Sequence, residues 1–391
     1  MTAQEPDVTS HSGSSRLLRR LNDRATLNCL FQRQHLTRPE LVELTGLSKP
    51  TASEVIKRLR AAELVTVVGR TSGGPGPRAD VYALNPDASY GAAVSVTEPD
   101  GLAVVLVDVT GQTRHEQRST VSYSHRNVSE LISSTIQTAF ATADLDALRL
   151  SRVHIAVPGS YDVSNDTVHN IDVPGCERPG WAAQLSEKLK AQVAVDNDVN
   201  LATLAECRHG AGGDAGFALL WLGERGIGLG IDIGDGMLTG FRGAAGEIGY
   251  LPIGDGQTLQ DMAGGPAIKQ LAAAHGFTAA TAHSAVAIAV SDKEFLSAMA
   301  QRLFTGLAAV VAVADPKRVV LAGEIGIAGG DRLCRALSQC TVSTPFDCLV
   351  VPSTVPGDAV LLGATDAVAS ALRHAILAED HTRSLLRRVV D

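Results

Sequence analysis

The sequence predicts an α/β protein in two parts, an N-terminal winged helix-turn-helix and a larger two-lobed domain. Three observations carry that prediction. Residues 41–59, LVELTGLSKPTASEVIKRL, read as two short helices about a glycine turn. A strand, a Gly/Pro-rich loop and a second strand follow over residues 64–84. From about Tyr90 strands alternate with helices, and two separate stretches open on runs of adjacent strands. At 391 residues the chain is too long for one compact core and suits two or three domains.

Residues 1–15, MTAQEPDVTSHSGSS, are polar with no apolar signal core and are expected to form a disordered tail. The DNA-binding domain then spans 16–85, its first helix running from about Arg16 to Gln34. Thr37 can N-cap a helix that carries Pro39 in its first turn and ends near Thr45. Gly46 makes the turn, and Ser48 caps the next helix. There Ala52, Val55, Ile56 and Leu59 share one face, the spacing of a helix packed on its neighbours. Pro50, Glu54 and Lys57 project from the opposite face. Short polar groups and cations on a second helix suit a major groove, so Lys49, Pro50, Thr51, Ser53, Lys57 and Arg58 are the candidate DNA contacts. The plainer alternative is a helical hairpin with a solvated charged face. The strands Leu64–Val68 and Val81–Leu84 enclose TSGGPGPRAD (71–80) and make the wing. Its Arg78 is either a minor-groove contact or one arginine in a linker.

Charge supports the division. Residues 1–85 hold 12 Lys/Arg against 8 Asp/Glu, net +4, while the rest hold 22 against 34, net −12. The chain as a whole is acidic and is no general polyanion binder; the basic excess sits where DNA contact is expected. No run of 18 apolar residues occurs, which argues against a membrane span. Six scattered cysteines (Cys29, Cys176, Cys207, Cys334, Cys340, Cys348) without a C-x-x-C pair fit reduced thiols in a cytoplasmic protein.

In the large domain Gly91–Val96 and Leu102–Val109 read as strands, with a third beyond the Thr110-Gly111 turn. A helix over about 127–141 precedes the buried strand Val153–Val157. A second strand set falls at Phe217–Leu222, Gly228–Ile233 and Met237–Gly240. A long helix from about Asp292 to Ala314 leads to the strand Val319–Ala322. Two lobes, each opening on a three-strand meander, place a ligand cleft between them.

Several segments resemble the ROK family (repressors, open reading frames and sugar kinases) over nearly the whole chain. They are AVPGSYD (156–162), the surroundings of Trp181, AVDNDVNLATLAE (194–206), GIGLGIDIGDGMLTGFRGAAGEIGY (226–250) and VLLGATDAV (360–368). The pairing of Asn-Asp-x-Asn with Gly-Glu-Ile-Gly at this separation is specific. The resemblance implies a two-lobed actin-like (sugar kinase/actin) fold, with lobes of roughly 86–196 plus 362–391, and 197–361. The winged helix-turn-helix is what the repressor branch carries and the kinases lack.

The resemblance also supplies site residues. Gly159, Asn170, Asn197, Asp198 and Glu247 match positions lining the sugar cleft, and Asp198 matches the kinases' general base. A carboxylate there can take a hydroxyl proton during phosphoryl transfer or bind the hydroxyl without chemistry. Any one of these residues, Asn170 above all, can instead cap a helix or anchor a loop. The phosphate side departs from the kinases. Their Asp-x-Gly-Gly-Thr becomes Ser95-Val96-Thr97-Glu98-Pro99, and their Gly-Thr-Gly-Ile-Gly becomes Glu224-Arg225-Gly226-Ile227-Gly228. Both loops gain a glutamate, which argues against ATP use. The usual Gly-Glu-x-Gly-His ends in Tyr250 here, and the zinc loop reads GDGQTLQDMAGGP (254–266) without cysteine, so no structural zinc and no other cofactor is expected. Gln260 matches the last sugar-binding Glu of that loop, and with Tyr250 it alters the donors and acceptors offered to the ligand. The expected function is a cytoplasmic, sugar-responsive transcriptional regulator, most simply a repressor. It would be a homodimer or tetramer that binds a double-stranded operator and no membrane. Two other readings stand: an ATP-dependent sugar kinase with a DNA-binding arm, and a regulator that senses a protein partner.

Overall fold

The computed structural model describes residues 9–71, 78–97, 100–123, 127–169, 173–213, 216–234, 236–342 and 344–378. The N-terminal unit consists of α1 (Thr9–Arg33), β1 (Leu36–Thr37), α2 (Arg38–Thr45), α3 (Lys49–Ala61), β2 (Val65–Arg70) and β3 (Asp80–Leu84). Thr37 and Glu40 form a reciprocal capping box at α2: the Glu40 carboxylate accepts from the Thr37 amide at 2.7 Å. Gly46 ends α2 in the left-handed region, and Ser48 caps α3 by accepting from Thr51 N. Ala52, Val55, Ile56 and Leu59 are the buried residues of α3, as their spacing predicts. Val55, Ile56 and Leu59 share one core with Leu27, Leu30, Leu41, Val65 and Tyr82. The wing sheet has order β1-β3-β2, and its first strand is too short to announce itself in the sequence. The first helix begins at Thr9, so residues 9–15 of the expected tail are helical. Once α1 is anchored by its packed residues, each added residue costs little.

The first lobe holds β4 (Tyr90–Thr97), β5 (Gly101–Asp108), β6 (Thr113–Thr120), α4 (Val128–Thr142), β7 (Leu150–Val157), the hairpin β8 (Ser160–Asp162) and β9 (Thr167–His169), α5 (Trp181–Leu189) and β10 (Gln192–Asn197). Its five-stranded sheet has order β10-β7-β4-β5-β6, antiparallel through β4–β6 and parallel from β4 through β7 to β10. Ala92, Val94, Val104 and Leu106 face α4 and α5. The alternate residues Ala93, Val105 and Val107 face the opposite layer. Both faces being covered, these strands read as unbroken apolar runs.

The second lobe is built from β11 (Phe217–Leu222), β12 (Ile227–Asp232), the hairpin β13 (Pro252–Gly254) and β14 (Gln257–Thr258), then α7 (Leu259–Ala263), α8 (Gly265–Ala274), α9 (Ala282–Ala289), α10 (Lys293–Ala314), β15 (Arg318–Ala322), α11 (Gly323–Thr341, broken at Gly330) and β16 (Leu349–Pro352). Its sheet has order β12-β11-β15-β16. The expected strand at Met237–Gly240 is reduced to a single bridge, Asp232–Met237. Gly234, Gly236 and Gly240 all take positive φ there, and a stretch so poor in side chains has little to hold it in a sheet.

Two helices tie the parts together. The helix α6 (Asp198–His209) lies between the lobes: Leu201, Ala202 and Ala205 pack toward the first sheet, and Val199 packs on Phe217 and Leu219 of the second. The helix α12 (Ala359–Ala378) packs along α6 and the first sheet, and its far end enters the N-terminal core through Ile376. There Arg20 donates to the Ala378 carbonyl at 3.0 Å, and the Arg373 guanidinium sits 4.9 Å from the Phe31 ring centre. Arg149 of the first lobe pairs with Glu63 at 2.9 Å. By length and mean hydropathy α10 and α12 match membrane spans, which the unbroken-run criterion misses. Both are packed into this fold, with Phe295 and Leu307 of α10 and Ala364 and Leu372 of α12 fully buried. The six cysteines are free thiols.

Candidate functional site

Two surfaces draw on the expected residues. On α3, Lys49, Pro50 and Lys57 are exposed, and Thr51 and Ser53 are half-buried beside them. The Ser53 hydroxyl donates to Lys49 O at 2.9 Å, and Thr51 Oγ1 lies 2.8 Å from the capping Ser48 hydroxyl; both keep lone pairs for outside donors. Arg58 departs from expectation. Its guanidinium is bidentate on Asp23 of α1, with Nε 3.0 Å from Oδ2 and Nη2 on Oδ1, and both side chains are largely buried. It pins α3 to α1 because it sits on the flank of the helix that faces α1, not on its outer face. Arg78 is exposed just before β3, and the wing tip at 72–77 lies outside the described residues. Arg70 and Asp80 pair across the base of the wing at 3.1 Å.

Between the lobes lies a cleft of about 1050 Å³. Of the expected residues, Gly159, Asn197, Asp198, Glu247, Tyr250 and Gln260 line it; Asn170 lies outside the described residues. Asn197 and Asp198 arrive together because β10 ends where α6 begins. Asn197 caps α6, its Oδ1 accepting from Val199 N at 2.9 Å and Asn200 N at 3.2 Å, while its Nδ2 donates to Gly159 O at 3.2 Å. Its amide thus locks the Pro158-Gly159 turn to the start of α6, a structural role alongside any contact with a ligand. The Asp198 carboxylate accepts from Val199 N at 2.8 Å. Glu247 is held by the Ser160 hydroxyl at 3.0 Å, a partner the sequence does not flag. Tyr250 is exposed at the cleft rim.

Gln260 differs from expectation. Its Oε1 accepts from Ile227 N at 2.9 Å and its Nε2 donates to Arg225 O at 2.8 Å, so the carboxamide braces the 224–228 loop and is largely committed. Gly228 at the end of that loop and Gly230 further along β12 have a packing reason: a Cβ at Gly228 would meet Val199 Cγ2 at 2.6 Å, and one at Gly230 would meet Thr203 Oγ1 at 1.9 Å, because α6 lies directly on β12.

Glu224 also has a different place. Its carboxylate accepts from Ala282 N at 2.9 Å and His283 N at 2.6 Å and pairs with the His283 ring at 2.8 Å, capping α9. Burial pushes its pKa up, but those hydrogen bonds outweigh burial and hold it below the ordinary carboxylate value. In the first phosphate-side segment Ser95 is buried at the end of β4, where the kinases' carboxylate is expected, and Thr97 reaches the cleft; Glu98 and Pro99 lie outside the described residues. Among the described residues the lining carries Asp198, Glu247 and Glu324, together with Glu224, Asp261 and Asp358, whose charges are committed to α9, to the start of α7 and to Arg118 at 2.9 Å, and one cation, Arg225. Glu324 and Asp358 were not read from the sequence; Glu324 follows the tight turn from β15 into α11, a strand-Gly-Glu pattern that offered a signal. The carboxylates of Asp198, Glu247 and Glu324 suit hydrogen bonds from neutral hydroxyls and disfavour a phosphoryl group beside them. Among the described residues no three His, Cys, Asp or Glu side chains cluster as metal ligands, and β13, β14 and α7 occupy the stretch where the zinc loop is expected.

Comparison with known proteins places both parts of the chain in known families. Residues 99–369 match the ROK family, and residues 19–66 match a winged helix-turn-helix DNA-binding family. A xylose repressor of Bacillus spizizenii is 23 % identical over 244 residues, 60 % of this chain and 61 % of that protein. The bifunctional enzyme NanE/NanK of Brucella melitensis is 31 % identical over 234 residues, 57 % of this chain and 44 % of that protein. The chain therefore spans less than two thirds of the length of either of these two relatives. Among solved structures, a ROK family transcriptional regulator described as a homologue of the E. coli Mlc protein superimposes with a TM-score of 0.70 at 18 % identity, covering 94 % of this chain and 99 % of that one.

Proposed function

Because the chain belongs to the ROK family and carries a winged helix-turn-helix ahead of that domain, we propose that it is a sugar-responsive transcriptional repressor whose kinase-like cleft binds a ligand without phosphorylating it. One observation carries the reading: a single helix, α12, runs from the cleft to the DNA-binding unit. Asp358, Ala359 and Val360 line the cleft, and Ile376 and Ala378, about 25–30 Å further along, touch the N-terminal unit. The α6 helix, which begins with Asp198, lies against α12, with Gly363 close to the Leu201 carbonyl.

A hydroxyl bound by Asp198 and Glu247 draws the lobes together, and α6 and α12 carry that movement to α3. The ligand shifts the DNA-bound population only by as much as it prefers one lobe arrangement to the other. The acidic lining selects a neutral polyhydroxylated molecule over its phosphate ester. Xylose is a first candidate, since the xylose repressors are among the relatives. Two copies in a homodimer or tetramer would present their α3 helices to the half-sites of a pseudo-palindrome, in the cytoplasm with the chromosome.

The experiment is binding of purified protein to DNA upstream of its own and neighbouring genes, at fixed salt, with a panel of free sugars and their phosphates. Selective binding released by one free sugar supports the reading; selective binding that only a phosphosugar releases contradicts the cleft assignment. The Brucella bifunctional relative keeps a kinase in view as the second reading, and sugar-dependent ADP release would establish it.

A further inference from the structure

The wall of α3 away from Arg58 holds a concavity of about 400 Å³ that shares Ser53 and Lys57 with the expected contacts and adds Arg38, Ile56, Arg60, Ala61 and Tyr82. Lys57 and Arg60 lie one turn apart on α3, and Arg38 reaches in from the start of α2. None of these three cations pairs with a carboxylate among the described residues. Glu40, in the same turn as Arg38, has its carboxylate turned back to the Thr37 amide and hydroxyl, each at 2.7 Å. Tyr82 is 1 % exposed, and its hydroxyl accepts from Arg38 Nη2 at 3.0 Å, so among the described residues its own proton has no acceptor. The donor set is therefore three uncompensated cations around a buried phenol O–H, at the edge of a helix whose outer face is free for bases.

We propose that this concavity seats one backbone phosphate of bound DNA, with Arg38, Arg60 and Lys57 supplying charge and Tyr82 a hydrogen bond. The inference rests on the DNA-binding reading and divides the labour within it. Lys49, Pro50, Thr51 and Ser53 at the start of α3 read base edges, while this flank, to which Lys57 now belongs, sets the register of the helix on the duplex. A helix lying in a major groove is bordered by the two backbones, so cations on its flank meet phosphates and cations at its apex meet bases.

The test is fluorescence anisotropy with two labelled duplexes, one of mixed sequence and one that the protein selects from a random pool, over about 50–200 mM salt. Each of Arg38→Ala and Arg60→Ala, at exposed positions and checked by thermal melting, is expected to weaken both duplexes about five-fold near physiological salt. Each lowers the salt slope by about one and leaves the ratio of the two affinities unchanged. Tyr82→Phe, which keeps the ring, weakens both a few-fold with the slope unaltered, since the lost donor is neutral. Wild-type affinity and slope in the Arg38→Ala/Arg60→Ala double variant, with wild-type protein binding its selected duplex, overturns the phosphate seat and leaves the DNA-binding reading standing. A variant that changes the selected sequence makes these residues base readers and overturns the assignment. Competition by inorganic phosphate beyond that of chloride at matched ionic strength gives the concavity to free anions and does the same. Wild-type protein that binds neither duplex overturns both readings together.

Discussion

Replacing Gly363 by Ala separates the two helices that join the cleft to the DNA-binding unit. A Cβ at this position would lie 1.9 Å from Leu201 O and 2.5 Å from Leu201 C. Both are backbone atoms of α6, so no side-chain rotation relieves the contact. An ordinary carbon–oxygen separation is roughly 3.4 Å or more, so α6 and α12 must part by well over an ångström. In a free helix, Gly→Ala stabilises by about 1 kcal/mol. Here that gain opposes an overpacking cost of about 1–3 kcal/mol or more, paid along a seam where Ala202, Ala205, Ala364 and Val368 are all buried. The expected sum is a net destabilisation, read as a lower urea midpoint at constant m-value. A second readout follows from the proposed route of coupling. The cleft side chains are untouched, so sugar still binds, but the factor by which sugar weakens operator binding shrinks. Stability equal to or above wild type would refute the packing argument. A destabilised protein with an unchanged coupling factor would refute the route through α6 and α12.

Asp198→Asn keeps the shape of the site and removes the charge that strengthens a hydroxyl hydrogen bond. Sugar affinity measured by calorimetry should fall about 10- to 150-fold, the equivalent of about 1.5–3 kcal/mol, with operator affinity unchanged; full sugar affinity would contradict the cleft assignment. Arg58→Ala leaves Asp23 as an unpaired buried carboxylate and should cost the N-terminal unit about 3–5 kcal/mol, so its loss of DNA binding comes with a lowered melting temperature. Lys57→Ala weakens DNA binding without that loss of stability. Glu224→Gln tests the α9 cap through pH. The folded carboxyl titrates below its ordinary value of 4.5, so the cap's stabilisation is fully present at neutral pH and is lost as pH falls through the depressed value. Wild type should therefore exceed the variant in stability near neutrality and converge with it in acid; a gap that persists in acid would contradict the cap.

Much of this architecture is legible in the sequence where a local rule acts alone. The α3 core residues, the caps at Thr37 and Ser48 and the buried strands Gly91–Val96 and Leu102–Val109 follow from periodicity and capping chemistry. What stayed hidden depends on partners distant in the chain. Arg58 reads as one more cation on a basic helix until Asp23, 35 residues earlier, is found beside it. Glu224 reads as a charge set against phosphate until α9 presents its amides, and Gln260 reads as a ligand contact until the loop at Arg225 and Ile227 claims it. Gly228 reads as the end of a phosphate loop, yet the helix lying on it is reason enough for its size. In each case the residue type is right for the expected role, and long-range geometry assigns it another.

The central claim is that one chain links the sugar cleft to the DNA surface, and linkage is reciprocal. The measurement is the affinity of the protein for its effector sugar by calorimetry, with and without a saturating operator duplex at fixed salt. The account predicts that operator weakens sugar binding by the same factor by which sugar weakens operator binding. Equal sugar affinity with and without operator would contradict it, because a cleft that cannot sense bound DNA cannot release it.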